Sequence, residues 1–571
     1  MTTVAERLVE MLVRAGVKRV YGVVGDSLNS MVDAIRRTKG IEWVAVRHEE
    51  VGAFAAGAEA QLSGNLAVCA GSCGPGNVHL LNGLYDCHRS YAPVLAIAAH
   101  IPSSQIGTSY FQETHPERIF NDCSHFCEMI GSPSQMPRTA QNAIRAAQNQ
   151  RGVSVLVIPG DVALQKVSGD FPPHEVRAVR SVVRPAESDL QDLAEMLNSP
   201  SKCTLLCGAG CQGAREEVLA LAGALKAPVV HALRGKQFVE WDNPFDVGMT
   251  GLIGLASGYR AMENADLLLI LGTDFPYDSF YPKKAKIAQV DLRGENLGRR
   301  ARLDLGLVGQ VRETIRALLP KIEKKKKSAH LEDSLKHYQQ VREKMAKHVD
   351  NLDNEAGIHP QYLATTASDL AADDAIFTAD TGMCTVWAAR YVRMKKGRSL
   401  IGSFNHGSMA NALPQAIGAQ MLFPDRQVLS FSGDGGLGML MGDLLTLVQH
   451  DLPVKVVVFN NSTLGMVKLE MQVAGIPDFG TDFKPFNFAK IAEGAGIRSF
   501  RVERGADVRG ALQAALKHKG PALLDVVTNP YELSMPPKII GEQAWGFSLF
   551  MMKEVMLGNV KEVFEELKTV V

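Results

Sequence analysis

Gln427-Val428-Leu429-Ser430-Phe431 runs through Ser432 into Gly433-Asp434-Gly435-Gly436, and the next apolar run, Val454-Lys455-Val456-Val457-Val458-Phe459, ends in Asn460-Asn461. Two short β-rich runs, separated by a helix-length stretch and largely lacking polar alternation, read as neighbouring parallel strands buried on both faces. A carboxylate at one strand end and an amide oxygen at the next can converge on one hard cation. The glycines let backbone and a diphosphate approach closely, and the helix start that follows favours anions. Mg²⁺ keeps an oxygen octahedron and usually shares it with phosphates, so two protein side chains suffice. Gly-Asp-Gly alone is a common turn and Asn-Asn a common loop start. Together, on adjacent strand ends, they point to a metal-diphosphate site.

The same pattern extends outward. Leu66-Ala67-Val68-Cys69-Ala70, Val153-Ser154-Val155-Leu156-Val157-Ile158 and Leu267-Leu268-Leu269-Ile270-Leu271 are further strand-like runs between helical stretches. This predicts an α/β chain of three doubly wound parallel-sheet domains. Two linkers divide it: about 166–187, with Pro172, Pro173 and Pro185, and the lysine run Lys324-Lys325-Lys326-Lys327, a solvated segment before a polar helix. The expected domains are 1–182, 183–334 and 335–530, followed by a tail, 531–571.

Composition narrows the function classes. At roughly 150 residues per domain, 571 residues allow about three or four domains. Lys plus Arg and Asp plus Glu each number 61, and this zero net charge argues against nucleic acid as a main partner. A hydrophobic share of 46% with 21% charged residues excludes disorder. No apolar run approaches the roughly 20 residues of a membrane-spanning helix. Val4, Leu8, Val9, Leu12 and Val13, with Glu6 and Glu10 between them, form an amphipathic helix rather than a signal peptide. The nine cysteines contain no CxxC and no His at zinc spacing, so they read as reduced thiols and not as a metal site.

A second signal lies near the start, in Arg47-His48-Glu49-Glu50-Val51-Gly52-Ala53-Phe54-Ala55-Ala56-Gly57-Ala58. A carboxylate opens a helix of small residues, which places it at a buried, close-packed surface. There it is a proton-sharing partner rather than a surface charge. The blander alternative is a Glu that only complements the helix dipole.

The pairing of Arg-His-Glu near one end with Gly-Asp-Gly and Asn-Asn near the other resembles the thiamine diphosphate-dependent enzymes. Three longer stretches resemble their flavin-containing branch, the bacterial pyruvate:quinone dehydrogenases or pyruvate oxidases: Gly71-Ser72-Cys73-Gly74-Pro75-Gly76-Asn77, Phe111-Gln112-Glu113-Thr114-His115-Pro116 and Gly402-Ser403-Phe404-Asn405-His406-Gly407-Ser408-Met409-Ala410-Asn411. The resemblance covers essentially the whole chain. It implies thiamine diphosphate-binding domains at both ends and a Rossmann-like FAD-binding domain between them.

By that resemblance Glu49 bonds the aminopyrimidine ring nitrogen opposite the amino group, and Glu50 points elsewhere. Asp434, Asn461 and the carbonyl of Thr463 hold Mg²⁺. Gly407, Ser408, Met409, Gly435, Gly436, Ser462, Leu464, Gly465, Met466 and Val467 complete the thiamine diphosphate site, with Met409 bending the cofactor. Phe111, Gln112 and Glu470 border the reacting pyruvate, and Met466 is a further catalytic position. Met466 stands where the branch carries an aromatic residue beside the flavin, a departure bearing on the rate of electron transfer.

In the middle unit, Gly208-Ala209-Gly210-Cys211-Gln212-Gly213 formally matches a dinucleotide fingerprint. The next strand ends at His231 with no acid to hold a ribose, which counts against NAD. The resemblance instead implies FAD, held by Thr250, Gly251, Leu252 and Ile253, by Thr273, Asp274, Phe275, Pro276 and Tyr277, and by Asp291, Leu292, Arg293, Gly294 and Glu295.

Val560, Val563, Phe564, Leu567 and Val571 form an apolar stripe in the tail. The resemblance makes this an amphipathic helix that binds phospholipid. It further implies oxidative decarboxylation of pyruvate to acetate and CO₂, electrons passing through FAD to ubiquinone. The expected assembly is a homotetramer with active sites between subunits, cytoplasmic and peripheral to the inner membrane. The alternatives are an acetolactate synthase-type carboligase, an oxygen-using, phosphate-dependent oxidase, and a catalytically silent binding protein on the same fold.

Overall fold

The computed structural model describes residues 2–167, 181–199, 201–350 and 352–532. They form three parallel sheets of six strands each, joined by helices. The first sheet runs, in spatial order, Glu42–Ala45, Arg19–Gly22, Ala67–Gly71, Val94–His100, Val153–Pro159, Phe126–Met129. The third runs Ser399–Gly402, Ile376–Ala379, Val428–Gly433, Lys455–Asn460, Ala522–Val527, Arg498–Val502, which is the same order counted along the chain.

The middle sheet differs. Its order is Leu305–Val308, Lys286–Asp291, Leu267–Leu271, Cys203–Cys207, Val229–His231, Asp246–Met249. Read in chain order this is the 3-2-1-4-5-6 arrangement of a Rossmann fold.

Alternate residues of one strand serve different cores. Ala67 and Cys69 join one buried cluster and Val68 and Ala70 another, so both faces of the first sheet are covered by helices. This is why the strand runs lack polar alternation.

The first and third domains share a core. Helix Glu49–Ser63 begins at an extended His48, whose Nδ1 accepts the Glu50 N–H, and ends at Gly64 in the left-handed region. Its small residues let it lie close against helices Pro75–Arg89 and Ala412–Leu422. A methyl group on Gly418 would overlap the Ala55 carbonyl. Ala55, Ala56, Leu413, Ala416 and Ile417 accordingly belong to one continuous cluster.

All nine cysteines are free thiols. Among the described residues, no helix is long and apolar enough to cross a membrane. The expected tail helix, with its stripe Val560 to Val571, lies outside the described residues, as do Pro172 and Pro173 of the first linker.

Candidate active site

In parallel α/β sheets, ligands collect at the carboxyl ends of strands where the chain order reverses. In the third sheet that point lies between Ile376–Ala379 and Val428–Gly433, and Asp434 follows directly. Asp434 opens the helix Asp434–Leu440 and is buried. Its Oδ1 accepts the Gly435 N–H at 2.7 Å and its Oδ2 the Ser462 N–H at 2.5 Å. Asn461 Oδ1 accepts the Thr463 N–H at 3.2 Å.

Carboxylate and amide oxygens thus engage one turn, in which Ser462 takes a left-handed φ of 57°. Burial pushes the Asp434 carboxyl up to about 6, against the N–H groups that favour its anion. A cation here would offset that burial. With the Thr463 carbonyl, the donor set is all oxygen and fits Mg²⁺.

Met409 joins this cluster. A methyl on Gly435 would lie 2.8 Å from Leu464 Cδ2 and 3.2 Å from Met409 Cε, so Gly435, Met409 and Leu464 surround one space that only glycine leaves open. Gly407 (φ 80°) and Ala410 (φ 62°) shape the Met409 loop. Asn411 Nδ2 donates to the Ser408 carbonyl at 2.8 Å and holds its base.

One residue of this cluster escaped the reading of the sequence. Asp380 directly follows the strand Ile376–Ala379, is buried, and accepts the Gly433 N–H at 3.2 Å and the Ala412 N–H at 2.8 Å. It ties the Asp434 turn to the helix that follows the Met409 loop. Burial pushes its carboxyl up to about 7, with backbone N–H bonds opposing. The available signal was an acid followed by Thr381-Gly382 at a strand end.

In the first domain, Glu49 is buried at the start of its helix, and its Oε2 lies 2.9 Å from His79 Nδ1. His79 stacks on His48 with ring centroids 4.3 Å apart. His48, Glu49 and His79 are the one group of potential metal ligands clustered among the described residues. A Cβ on Gly76 would sit 2.9 Å from Glu49 Oε1, so Gly76 clears space in front of the carboxylate. Gln112 is close by: the Cys73 thiol donates to its Oε1 at 3.2 Å, and Gly74 packs against its backbone. Phe111 beside it is 78% exposed.

Glu50 does point elsewhere. Its Oε1 accepts from Asn82 Nδ2 at 2.7 Å, and the same nitrogen donates to Ser408 Oγ at 2.8 Å. Within one chain Glu50 therefore reaches the third domain. Among the described residues, the hydrogen bonds of Glu49 stay inside the first.

In the middle domain, the segments singled out for FAD converge. Gly251 (φ 103°) lies against Phe275, whose ring meets Tyr277 edge-on with centroids 5.4 Å apart. Thr250 Oγ1 is buried without a partner, its chain neighbour Leu252 is exposed, and so is the Tyr277 ring that Gly251 approaches. An orphaned hydroxyl beside exposed apolar and aromatic groups fits a flavin nucleotide. Asp291 is buried and held by the Arg293 N–H at 2.9 Å and Asn296 at 3.2 Å. Asp274 is spent on ion pairs with Arg299 and Arg300, and Arg293 on the Gln150 carbonyl at 2.6 Å. The strand at Val229 ends on a buried His231.

These segments face the third domain. Arg390 donates to the carbonyls of Ile253 and Gly254 at 3.0 and 3.1 Å. The charge of Glu470 helps raise the Tyr277 hydroxyl, after burial. Glu470 and Val467 are exposed on the helix Gly465–Val473, and Met466 is partly buried against the third core.

Comparisons with known proteins agree along the chain. Residues 2–119 match the N-terminal TPP binding domain of thiamine pyrophosphate enzymes, 190–318 their central domain and 380–526 their C-terminal TPP binding domain. The protein YdaP of Bacillus subtilis (strain 168), a thiamine pyrophosphate-containing protein by name, is 36% identical over 96% of this chain and 96% of its own. A pyruvate oxidase of Lactiplantibacillus plantarum is 30% identical over 91% of this chain and 87% of its own. The large subunit of acetolactate synthase isozyme 1 of Escherichia coli (strain K12) is 28% identical over 94% and 95%.

Proposed function

The chain belongs to the thiamine pyrophosphate-dependent enzymes, and from that premise we propose that it decarboxylates pyruvate oxidatively. Pyruvate and water give acetate, CO₂ and two protons, and two electrons leave through FAD to a membrane quinone, ubiquinone. Thiamine diphosphate supplies the carbon nucleophile that no side chain provides, and FAD the two-electron acceptor. Asp434, Asn461 and Thr463 hold Mg²⁺ and thereby the diphosphate. Glu49 bonds the aminopyrimidine and moves its proton. Phe111, Gln112 and Glu470 border pyruvate.

The observation that carries the redox reading is the approach of the two cofactor regions. Tyr277 feels the charge of Glu470, and Arg390 clasps the Ile253 carbonyl. Arg390, Glu470 and Tyr277 thus link the region that would hold FAD to the region that would hold thiamine diphosphate, as a two-electron acceptor serving that site would require. A second copy of the chain completes each site in a homotetramer, a reading supported by the hydrogen bond that keeps Glu49 within its own domain. The domain limits 1–182, 183–334 and 335–530, a lipid-binding tail at 531–571 and a peripheral position on the inner membrane belong to the same proposal.

An acetolactate synthase-type carboligase is the second reading, supported by the 28% identity to such an enzyme over nearly the whole chain. Anaerobic addition of pyruvate to the purified protein separates the two. Bleaching of the flavin, then reoxidation by a quinone analogue that lipid vesicles enhance, is the expected result. Unbleached flavin with acetolactate accumulating would overturn it.

A further inference from the structure

Val94–His100 is an interior strand of the first sheet, and the loop that leaves its carboxyl end carries Phe111 and Gln112. Asp161 fixes the start of this loop: its Oδ1 accepts the Ser103 N–H at 2.8 Å and its Oδ2 the Ser103 hydroxyl at 2.6 Å. At the far end the buried Pro116 opens the short helix Pro116–Ile119. Among the described residues, 106–115 form no helix or strand. Tyr110 and Phe111 at the tip are exposed. Ordering such a stretch has an entropic cost that some contact must offset.

Glu113 supplies that contact. Its Oε1 accepts the Gly107 N–H and its Oε2 the Tyr110 N–H at 3.1 Å, while its own N–H donates to the Tyr110 carbonyl at 2.9 Å. The N–H groups of Gly107 and Tyr110 have no other acceptor among the described residues. The Gly107 N–H, followed by those of Ser109 and Tyr110, holds the Glu113 carboxyl below its ordinary value. The ring so closed passes through Gly107, Ser109 and Gln112, at left-handed φ values of 86°, 60° and 63°. Non-glycine residues keep such a backbone only where their surroundings over-determine it.

Gln112 is also held from the other side. A Cβ on Gly74 would lie 2.9 Å from Gln112 Cβ, and the Cys73 thiol donates to Gln112 Oε1, which leaves the amide Nε2 to donate. Glu113 differs from its two predecessors in the chain. Both of its carboxylate oxygens are engaged by the loop's own backbone, which suits a brace and not an acid–base group.

We propose that Glu113 is a positioning residue: its carboxylate clasps residues 107–113 so that Phe111 and Gln112 are presented in one fixed geometry to a small 2-oxo acid, the apolar ring limiting the length of its carbon chain. The inference rests on the activity proposed above only in taking those two residues as substrate neighbours. Without the clasp both side chains remain present but no longer share one geometry, which weakens the binding and selection of substrate more than the chemical step.

The test uses the full chain loaded with thiamine diphosphate, Mg²⁺ and FAD. Hydrogen exchange, read by mass spectrometry on a peptide covering 106–114, reports the clasp without any turnover. In Glu113→Ala the Gly107 and Tyr110 amides should exchange about tenfold faster than in wild type. Glu113→Gln, which keeps one carbonyl acceptor, should fall between, and it decides the matter if the alanine variant does not fold. Release of CO₂ from carboxyl-labelled pyruvate, common to the oxidative and carboligating readings, measures the consequence. For Glu113→Ala, kcat/KM should fall about tenfold, mainly through KM, and the preference for pyruvate over 2-oxobutyrate should narrow, with cofactor content unchanged. Glu113→Gln should recover part of both. Exchange equal to wild type in Glu113→Ala overturns the proposal. So does faster exchange with KM and substrate preference unchanged, or a loss confined to kcat, which would make Glu113 a direct participant. A wild type that releases no CO₂ from pyruvate refutes the proposed activity instead, and the clasp then stands or falls by exchange alone.

Discussion

Ser403 donates its hydroxyl proton to Asp86 at 2.8 Å, a bond that crosses from the third domain to the first. Asp86 is fully buried, and Gln415 Nε2 approaches its other oxygen at 3.3 Å. Burial pushes the carboxyl from 3.8 up to about 6, with both bonds opposing. The folded state therefore prefers the protonated acid. The stability this contributes is complete below pH 3.8 and is lost as pH rises through about 6.

Asp86→Asn should remove that dependence. At ~1.4 kcal/mol per unit, ionisation of the buried acid costs the wild type ~3 kcal/mol above pH 6. Gln415 Oε1 has no partner, so turning its amide gives the N–H of the substituted side chain an acceptor. Urea unfolding at pH 5 and pH 8 checks this: the variant should gain on the wild type as pH rises. An equal offset at both values means that burial of the charge is not the governing effect.

Gly418→Ala tests the seam between the first and third domains. The added methyl meets a backbone carbonyl, that of Ala55, which no rotamer change can move. Overpacking of this kind costs about 3 kcal/mol. Gly438→Ala is the control, since nothing lies within 4 Å of its added Cβ; in that helix it should be neutral or stabilise by a few tenths of a kcal/mol. Denaturant unfolding that ranks the two variants alike removes the close-approach argument.

What could be read from the sequence was what leaves a local trace. Strands buried on both faces appear as unbroken apolar runs, so Leu267–Leu271 is found where it was expected. Gly433-Asp434-Gly435 announced a strand end because a turn and a charge there have few other uses. Ends were blurred by a residue or so: Leu66 heads the expected run, yet the strand is Ala67–Gly71. Asp380 was missed because its role is to accept N–H groups 32 and 53 positions away. Long-range bonds leave no periodicity. The bond from Asn82 to Ser408 was hidden for the same reason. Resemblance assigned roles to Phe111 and Glu470 that neither residue's own surroundings in the chain would suggest.

Glu49→Gln should keep thiamine diphosphate bound and lower decarboxylation at least ~100-fold, the scale of a lost proton-transfer partner. The amide preserves shape beside His79 and Gly76 but cannot share a proton in the same way. Glu50→Gln is the sharp comparison, because Glu50 bonds Asn82 rather than the space in front of Gly76. It should keep at least a tenth of wild-type activity. Cofactor retention by dialysis and CO₂ release measure the two effects separately, and full activity in Glu49→Gln would contradict the assigned role.

Asp380 should matter for cofactor affinity without touching the cofactor. Its two oxygens accept the Gly433 and Ala412 N–H groups on either side of the space enclosed by Gly435 and Met409. Asp380→Ala orphans both donors in a buried site, at about 1–3 kcal/mol each. Part of that falls on the turn that presents Asp434. Asp380→Asn retains one acceptor and places an N–H2 where the other stood, so it should sit between wild type and the alanine variant. Calorimetric titration of thiamine diphosphate at saturating Mg²⁺ should show about tenfold weaker binding for Asp380→Ala and a smaller loss for Asp380→Asn. Identical binding by wild type and both variants, with folding intact, means that the Asp434 turn holds its shape unaided and that Asp380 is only a buried acid.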